Sequence, residues 1–146
     1  MKVSEAMSSE VVSVSRDDTL KVAVSKMVMH NCPQVTVADN DGNLIGIVTV
    51  RDVMLPLYPD HGEYVHDNIH ARDFEEMEDN YGKVLDMKAG DVMTANPITV
   101  SSDDAVLKAA SYMGLRNLRR IPVVDSGKQV GLLSIENINN ALFLNR

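Results

Sequence analysis

The chain has 146 residues, of which 45% are apolar, and a formal net charge of −7 at pH 7. Its single cysteine excludes an intramolecular disulfide and a cysteine-based zinc site, so a reducing cytoplasm is the expected location. The acidic charge, the 4% aromatic content and the lack of an apolar run of ~20 residues argue against nucleic-acid partners and a membrane span.

The first part of the chain is predicted to form a strand, a helix, two strands and a helix. The segment VVSVS is rich in β-branched residues and leads to candidate N-caps at Asp18 and Thr19. Apolar residues at three- and four-residue spacing then predict an amphipathic helix: Leu20, Ala23, Val24, Met27 and Val28. The strands QVTVA and LIGIVTV follow, joined by a turn at Gly42, and the second helix is expected to end at Pro56.

An acidic connector is expected at residues 57–87. Between Tyr58 and Asn80 it has eight acids and one base, so the rest of the chain has no net charge. The helical spacing of its apolar residues predicts a helix packed on the body or on a second chain: Phe74, Met77, Tyr81 and Leu85. The connector also contains His61, His66 and His70, which could hold a divalent metal. A solvated connector is the preferred interpretation, and no metal site is predicted.

The last part of the chain has the same order of elements. The strand PITVS leads to a candidate N-cap at Asp104 and to a helix with Val106, Ala109 and Met113 on one face. The strands RIPVV and VGLLSI follow, with a turn at Gly127, and the last helix is expected to run from residue 137 to residue 143.

These two parts are an internal repeat. With an offset of 86, residues 6–39 align with 92–125, and eleven of the 34 pairs are identical. With an offset of 85, GIVTVRD aligns with GLLSIEN. We therefore predict a first copy at 1–56 and a second at 88–146. Neither copy can cover both faces of its sheet alone, so the two are expected to form one compact α+β body with pseudo-twofold symmetry.

The repeat resembles a cystathionine-β-synthase (CBS) domain, and the tandem resembles a CBS pair, or Bateman module. The resemblance rests on the ordered motifs EAMSSEVVSVSRDDTL, GIVTVRDVM, DVMTANPITVSSDDAVLKAASYM and RRIPVVDSGKQVGLLSIENI. It implies a β-α-β-β-α fold in each copy and regulatory binding of AMP, ADP, ATP or S-adenosylmethionine, with no required cofactor. It also implies a homodimer and a separate regulated partner protein.

Thr49 and Asp52 mark the first candidate site, because a hydroxyl and a carboxylate three residues apart follow a strand. A carboxylate can accept hydrogen bonds from both hydroxyls of a ribose diol, and the resemblance assigns ribose binding to this pair. The resemblance implies a cleft completed by the other copy, with apolar residues around adenine and arginines near the phosphates. Its predicted members are Ile47, Thr49, Arg51, Asp52, Thr94, Pro97, Thr99, Leu118, Arg119 and Arg120.

A second cleft is expected to bind more weakly, because Asn137 replaces the carboxylate. Its predicted members are Met7, Ser8, Ser13, Cys32, Pro33, Gln34, Ser134 and Asn137. Three alternatives stay open. Asp52 could act only as an acidic residue that complements the dipole at a helix N-terminus. The arginines near residue 119 could form a solvated helix end, and the CBS pair could be an interaction module without a ligand. No catalytic constellation is found, so the chain is not expected to be an enzyme.

Overall fold

A computed structural model of the chain describes residues 1–58 and 74–146. Its helices and strands are, in order, α1 (Val3–Ala6), β1 (Ser13–Ser15), α2 (Leu20–Met29), β2 (Gln34–Ala38), β3 (Leu44–Thr49), α3 (Val50–Met54), a 3-10 helix (Leu55–Leu57), α4 (Phe74–Leu85), α5 (Ala89–Val92), β4 (Thr94–Ala95), α6 (Val106–Arg116), β5 (Arg120–Asp125), β6 (Lys128–Ser134) and α7 (Ile135–Leu144). None of these described helices has both the length and the apolar character needed to cross a membrane.

The chain divides into two compact units. The copy-1 unit comprises Val12–Ala38 and Ile45–Ala95, and the copy-2 unit comprises Met1–Val11, Asp39–Leu44 and Asn96–Arg146. Each unit takes most of its residues from one repeat, and the copy-2 unit adds two short segments of the first repeat, Met1–Val11 and Asp39–Leu44. The contacts and the sequence repeat therefore divide the chain differently.

The copy-1 unit has a four-stranded sheet in the order β1-β2-β3-β4. β1 runs parallel to β2, with Val14 opposite Val37, and β3 runs antiparallel to β4, with Ile47 opposite Thr94. Helix α2 packs its apolar face on β1 and β2, as its three- and four-residue spacing predicts. The buried core of this unit consists of Val14, Leu20, Ala23, Met27, Val35, Val37, Val48, Val53, Leu57, Val84 and Ala89.

The copy-2 unit has the antiparallel pair β5-β6, in which Ile121 lies opposite Leu133. The segment predicted as the strand PITVS forms only one parallel bridge, from Val100 to Val123. The buried core of this unit consists of Val3, Val100, Val106, Ala109, Met113, Ile121, Val123, Leu133 and Ile138. The predicted α+β class and the two repeats are confirmed.

The segment that precedes the first strand of each copy packs on the other copy. Val3 N–H in α1 donates to the Asp104 carbonyl at 2.8 Å, and Ala89 N–H in α5 donates to the Asp18 carbonyl at 2.8 Å. The sequence patterns did not predict α1, α5 or β4. The repeat could have indicated α1 and α5, since their segments KVSEAM and KAGDVM align at the same offset of 86.

Three predicted helix boundaries can be compared with the structure, and α7 runs over Ile135–Leu144 instead of 137–143. α3 ends at Met54, two residues before Pro56, and Pro56 lies in the first turn of the 3-10 helix that follows, where proline is tolerated. Asp104 is not the N-cap of α6, a position held by Ala105 without a side-chain cap. The Asp104 carboxylate instead accepts the Ser101 N–H at 2.8 Å and so stabilises the preceding turn.

Candidate functional site

Thr49 and Asp52 form a reciprocal capping box at the start of α3. The Asp52 N–H donates to Thr49 Oγ1 at 3.3 Å, and Asp52 Oδ2 accepts from the Thr49 N–H at 2.9 Å. Thr49 Oγ1 also donates to Asp52 Oδ2 at 3.1 Å. Together these bonds satisfy the N–H groups of Thr49 and Asp52 at the helix N-terminus, so the helix-terminal role considered for Asp52 is present.

The capping box uses only one oxygen of Asp52. Both bonds to the carboxylate end on Oδ2, and Oδ1 has no hydrogen-bond partner among the residues that the structure describes. The side chain is partly buried and held by Thr49, so Oδ1 has a fixed direction. A carboxylate oxygen of this kind can accept a charge-assisted hydrogen bond from a hydroxyl or N–H donor.

The equivalent box in the second copy is made by Ser134 and Asn137. The Ser134 N–H donates to Asn137 Oδ1 at 3.0 Å, and the Asn137 N–H donates to Ser134 Oγ at 3.0 Å. This box engages the only oxygen of the Asn137 side chain, whose other terminal atom is a donor nitrogen. The two boxes stabilise their helices in the same way, but only the first leaves a carboxylate oxygen without a bond in the described chain.

The residues near Thr49 belong to β3, to β4 and to the segment before β2, all in the copy-1 unit. Ile47, two residues before Thr49, pairs with Thr94 in β4. The Val50 N–H at the start of α3 donates to the Pro33 carbonyl at 3.1 Å, so Pro33 adjoins this strand exit. Arg51 follows in the first turn of α3 with an exposed side chain.

Gln34, next to Pro33, has a buried side-chain nitrogen. Its Nε2 has no hydrogen-bond partner within residues 1–58 and 74–146. A buried donor without an acceptor costs about 1–3 kcal/mol, so native structures contain few of them. Hydrophobic patterning could not identify this atom, because its lack of a partner depends on tertiary packing.

Arg119 and Arg120 lie beside the strand exit of their own copy. The Ile135 N–H donates to the Arg119 carbonyl at 3.0 Å, and Arg120 lies opposite Ser134 in the sheet. The Glu136 backbone N–H lowers the pKa of the Glu136 carboxyl, and the Ser134 hydroxyl and the positive charges of Arg120 and Arg119 add to this effect. Arg119 and Arg120 thus place positive charge near the Glu136 carboxylate at the start of α7.

The members of each predicted cleft are distributed over both units. For the first cleft, the copy-1 unit holds Ile47, Thr49, Arg51, Asp52 and Thr94, and the copy-2 unit holds Pro97, Thr99, Leu118, Arg119 and Arg120. For the second cleft, the copy-2 unit holds Met7, Ser8, Ser134 and Asn137, and the copy-1 unit holds Ser13, Cys32, Pro33 and Gln34. The contribution of each unit to the other's site stays a prediction.

Gly46 and Gly131 open the two aligned heptads GIVTVRD and GLLSIEN. Each glycine lets the segment that precedes the first strand of a copy, here called the exchanged segment, approach the sheet. A Cβ on Gly46 would lie 2.6 Å from Met93 Sδ and 3.0 Å from the Thr94 carbonyl oxygen. A Cβ on Gly131 would lie 2.8 Å from Met7 Sδ. These contacts explain why both heptads begin with glycine, a role that the sequence analysis did not assign.

The metal hypothesis concerns His61, His66 and His70, which lie outside the described residues. Within residues 1–58 and 74–146, no group of three or more metal-binding side chains comes together. Cys32 is a free, partly buried thiol that lines a cavity between α2 and α3.

Comparison with known proteins matches the chain to the CBS domain at residues 3–58 and 89–144. A CBS domain-containing protein of Dictyostelium discoideum is 29% identical over 145 residues, which cover 96% of this chain and 90% of that protein. The homoserine O-acetyltransferase of Methanococcus vannielii is 30% identical over 141 residues, but the chain spans only 24% of that enzyme's length.

Two solved structures with this fold contain adenosyl ligands. The structure of CBSX2 in complex with AMP matches with a TM-score of 0.73 and 25% identity, over 99% of this chain and 98% of that one. The CBS domain pair of protein MJ0100, in complex with 5-methylthioadenosine and S-adenosyl-L-methionine, matches with a TM-score of 0.71 and 20% identity, over 100% of this chain and 98% of that one. Related CBS pairs thus bind adenosyl ligands, and CBS pairs occur both in short proteins and within enzymes.

Proposed function

The chain belongs to the CBS-domain family, and on that premise we propose that it is a regulatory protein that binds an adenosine-containing ligand at Thr49 and Asp52. The observation that carries the proposal is the carboxylate oxygen Oδ1 of Asp52, which the capping box does not use. CBSX2 supports the ligand class, because its structure contains AMP.

In this proposal Asp52 binds the ribose. Thr49 holds Oδ2, so the carboxylate is oriented before the ligand arrives. Oδ1 then accepts a hydrogen bond from a ribose hydroxyl, and a hydrogen bond to a charged acceptor contributes about 1.5–3 kcal/mol. Because the helix cap fixes the carboxylate in advance, little side-chain entropy is lost on binding.

The rest of the ligand would contact the other predicted members. Ile47 and Thr94 lie on adjacent strands beside the box and are proposed to line the adenine. Pro97, Thr99 and Leu118 are proposed to complete that pocket from the copy-2 unit. Arg51, Arg119 and Arg120 are the proposed phosphate ligands, because guanidinium groups match phosphate oxygens.

The Asn137 box is proposed as the weaker second site. Its oxygen already accepts the Ser134 N–H, so the side chain offers mainly donors to a ligand.

Regulation would follow from differential binding. A ligand that prefers one conformation shifts the population toward it, and a separate protein partner would respond to the change. We propose that this takes place in a homodimer in the cytoplasm. The alternative is an interaction module without a ligand, which the exposed apolar side chains of Leu115 and Phe143 favour.

Calorimetric and thermal-shift titrations of the full chain with AMP, ADP, ATP and S-adenosylmethionine test this proposal. A ligand at 100-fold its Kd should stabilise the protein by about 2.7 kcal/mol. If none of the four ligands binds, the interaction module is correct.

A further inference from the structure

Three equivalent positions of the two copies differ in charge. Two of them are the residue before β2 or β5 and the first residue of that strand, and the third lies in the first turn of α3 or α7. The first copy has Pro33, Gln34 and Arg51 at these positions. The second copy has Arg119, Arg120 and Glu136. The net charge of the three positions is +1 in both copies, but only the second copy combines an acid with two bases to reach it.

The main chain brings the three residues of the second copy to one corner of the copy-2 unit. The Ile135 N–H donates to the Arg119 carbonyl at 3.0 Å, and Arg120 lies opposite Ser134, the N-cap of α7. Glu136 follows Ser134 and Ile135 in the first turn of this helix. The side chains of Arg119 and Glu136 are exposed, and that of Arg120 is half-buried. A ligand from solvent can therefore reach this corner.

The Glu136 carboxylate carries a negative charge that acts on the arginines. Its own backbone N–H lowers the pKa of this carboxyl most, and the Ser134 hydroxyl and the charges of Arg120 and Arg119 act in the same direction. The carboxylate is therefore ionised at neutral pH. Because the attraction between charges is mutual, Glu136 offsets part of the positive charge that both arginines present to a ligand.

We propose that Glu136 determines ligand specificity by limiting the negative charge that Arg119 and Arg120 can hold. This inference rests on the proposed function, in which the two arginines bind the phosphates of an adenosyl ligand. Each further phosphate is attracted by the arginines but repelled by Glu136, so it adds less affinity than two free arginines would give. The site therefore favours a ligand with few negative charges over a triphosphate.

Calorimetric titration of the full chain and of its Glu136→Gln variant with AMP and ATP tests this role. The variant should bind AMP about threefold and ATP about tenfold more tightly, because ATP carries more negative charge. S-adenosylmethionine has a sulfonium cation in place of phosphate, and the variant should bind it no more tightly than the wild type does. The gain for ATP should disappear at about 1 M salt, where the Debye length is about 3 Å.

Two control variants separate the local charge from other effects of the substitution. Glu75→Gln removes the same charge from an exposed residue in the first turn of α4, and it should leave the ratio of ATP to AMP affinity unchanged. Glu136→Asp keeps the charge and should keep the wild-type ratio. Because Glu136 is exposed, its variants should fold, and their thermal unfolding is measured alongside.

Equal gains for AMP and ATP, a gain that persists at high salt, or the same gain in Glu75→Gln would each overturn the proposal. If the wild type binds a nucleotide and Glu136→Gln does not change the ratio of the affinities, only the role of Glu136 is wrong. If neither protein binds AMP, ATP or S-adenosylmethionine, the proposed function fails and the role of Glu136 fails with it.

Discussion

Asp52 and Asn137 hold the same position in two copies of one capping box. Asp52 Oδ2 accepts the Thr49 N–H at 2.9 Å, and Asn137 Oδ1 accepts the Ser134 N–H at 3.0 Å. The cap is therefore preserved by either side chain, and the difference between them is the second oxygen. This equivalence supplies a variant that separates helix capping from ligand binding.

Asp52→Asn should keep the fold and lose the ligand. Asparagine caps α7 at the equivalent position, so the free energy of unfolding should change by no more than about 0.5 kcal/mol. Loss of the second carboxylate oxygen should weaken adenosyl-ligand binding at least about tenfold, given 1.5–3 kcal/mol for a charged hydrogen bond. Urea denaturation and calorimetry measure the two effects.

The reciprocal variant, Asn137→Asp, is the control for that prediction. It should leave binding at the first site unchanged and add a carboxylate oxygen to the second box. Unchanged binding by Asp52→Asn would contradict the role of Oδ1 and leave Asp52 with its capping role alone.

Gly46→Ala should destabilise the chain by about 1–3 kcal/mol, the usual cost of overpacking. Its Cβ would lie 2.6 Å from Met93 Sδ and 3.0 Å from the Thr94 carbonyl oxygen, so the exchanged segment would have to move. Gly82→Ala is the matched control, because nothing lies within 4 Å of its Cβ in helix α4. That substitution should stabilise the helix by about 0.5–1 kcal/mol. If urea denaturation gives the same change in the free energy of unfolding for both variants, Gly46 does not lie in close contact with Met93 and Thr94.

Acid should destabilise the copy-2 unit through Asp125. The hydroxyl and N–H of Ser102 and the hydroxyl of Ser101 lower the pKa of Asp125 from its ordinary value of 3.8. A pKa that is lower in the folded state adds stability above pH 3.8, and this stability is lost as the pH falls through the lower folded-state pKa.

Ser102→Ala should therefore flatten the dependence of stability on pH in this acidic range, because it removes the strongest cause of the shift. Thermal unfolding measured from neutral pH to below pH 3.8 compares the two proteins. Parallel stability curves for the variant and the wild type would show that the Ser102–Asp125 bond does not contribute.

Gln34→Met should stabilise the protein in the absence of ligand. Methionine has a similar length, and the substitution removes a buried Nε2 that has no acceptor in the described chain. The expected gain is about 1 kcal/mol, the lower part of the cost of an unpaired buried donor. Gln34→Glu, which would bury a charge, should destabilise. A loss of stability in Gln34→Met, measured by chemical denaturation, would mean that Nε2 is satisfied in solution.

Local patterns predicted most of the regular structure. The spacing of Leu20, Ala23 and Met27 predicted α2, and Gly42 and Gly127 have the positive φ that their turns require. The strand at Pro97–Ser101 was overestimated, because its β-branched residues contribute only a bridge at Val100. β-propensity reports how well side chains pack on a sheet, and it does not report which backbone groups pair.

The sequence by itself determined that the chain is duplicated, that each copy has the CBS order of elements, and that hydroxyl-x-x-Asp or hydroxyl-x-x-Asn follows the last strand of each copy. These features are local or repeated, so the sequence shows them without any knowledge of contacts between distant parts of the chain. Tertiary structure decided that α1 and α5 pack on the opposite copy and that Asp52 Oδ1 stays unpaired within the described chain. Four-residue helices have no stability of their own, so only packing determines where they lie.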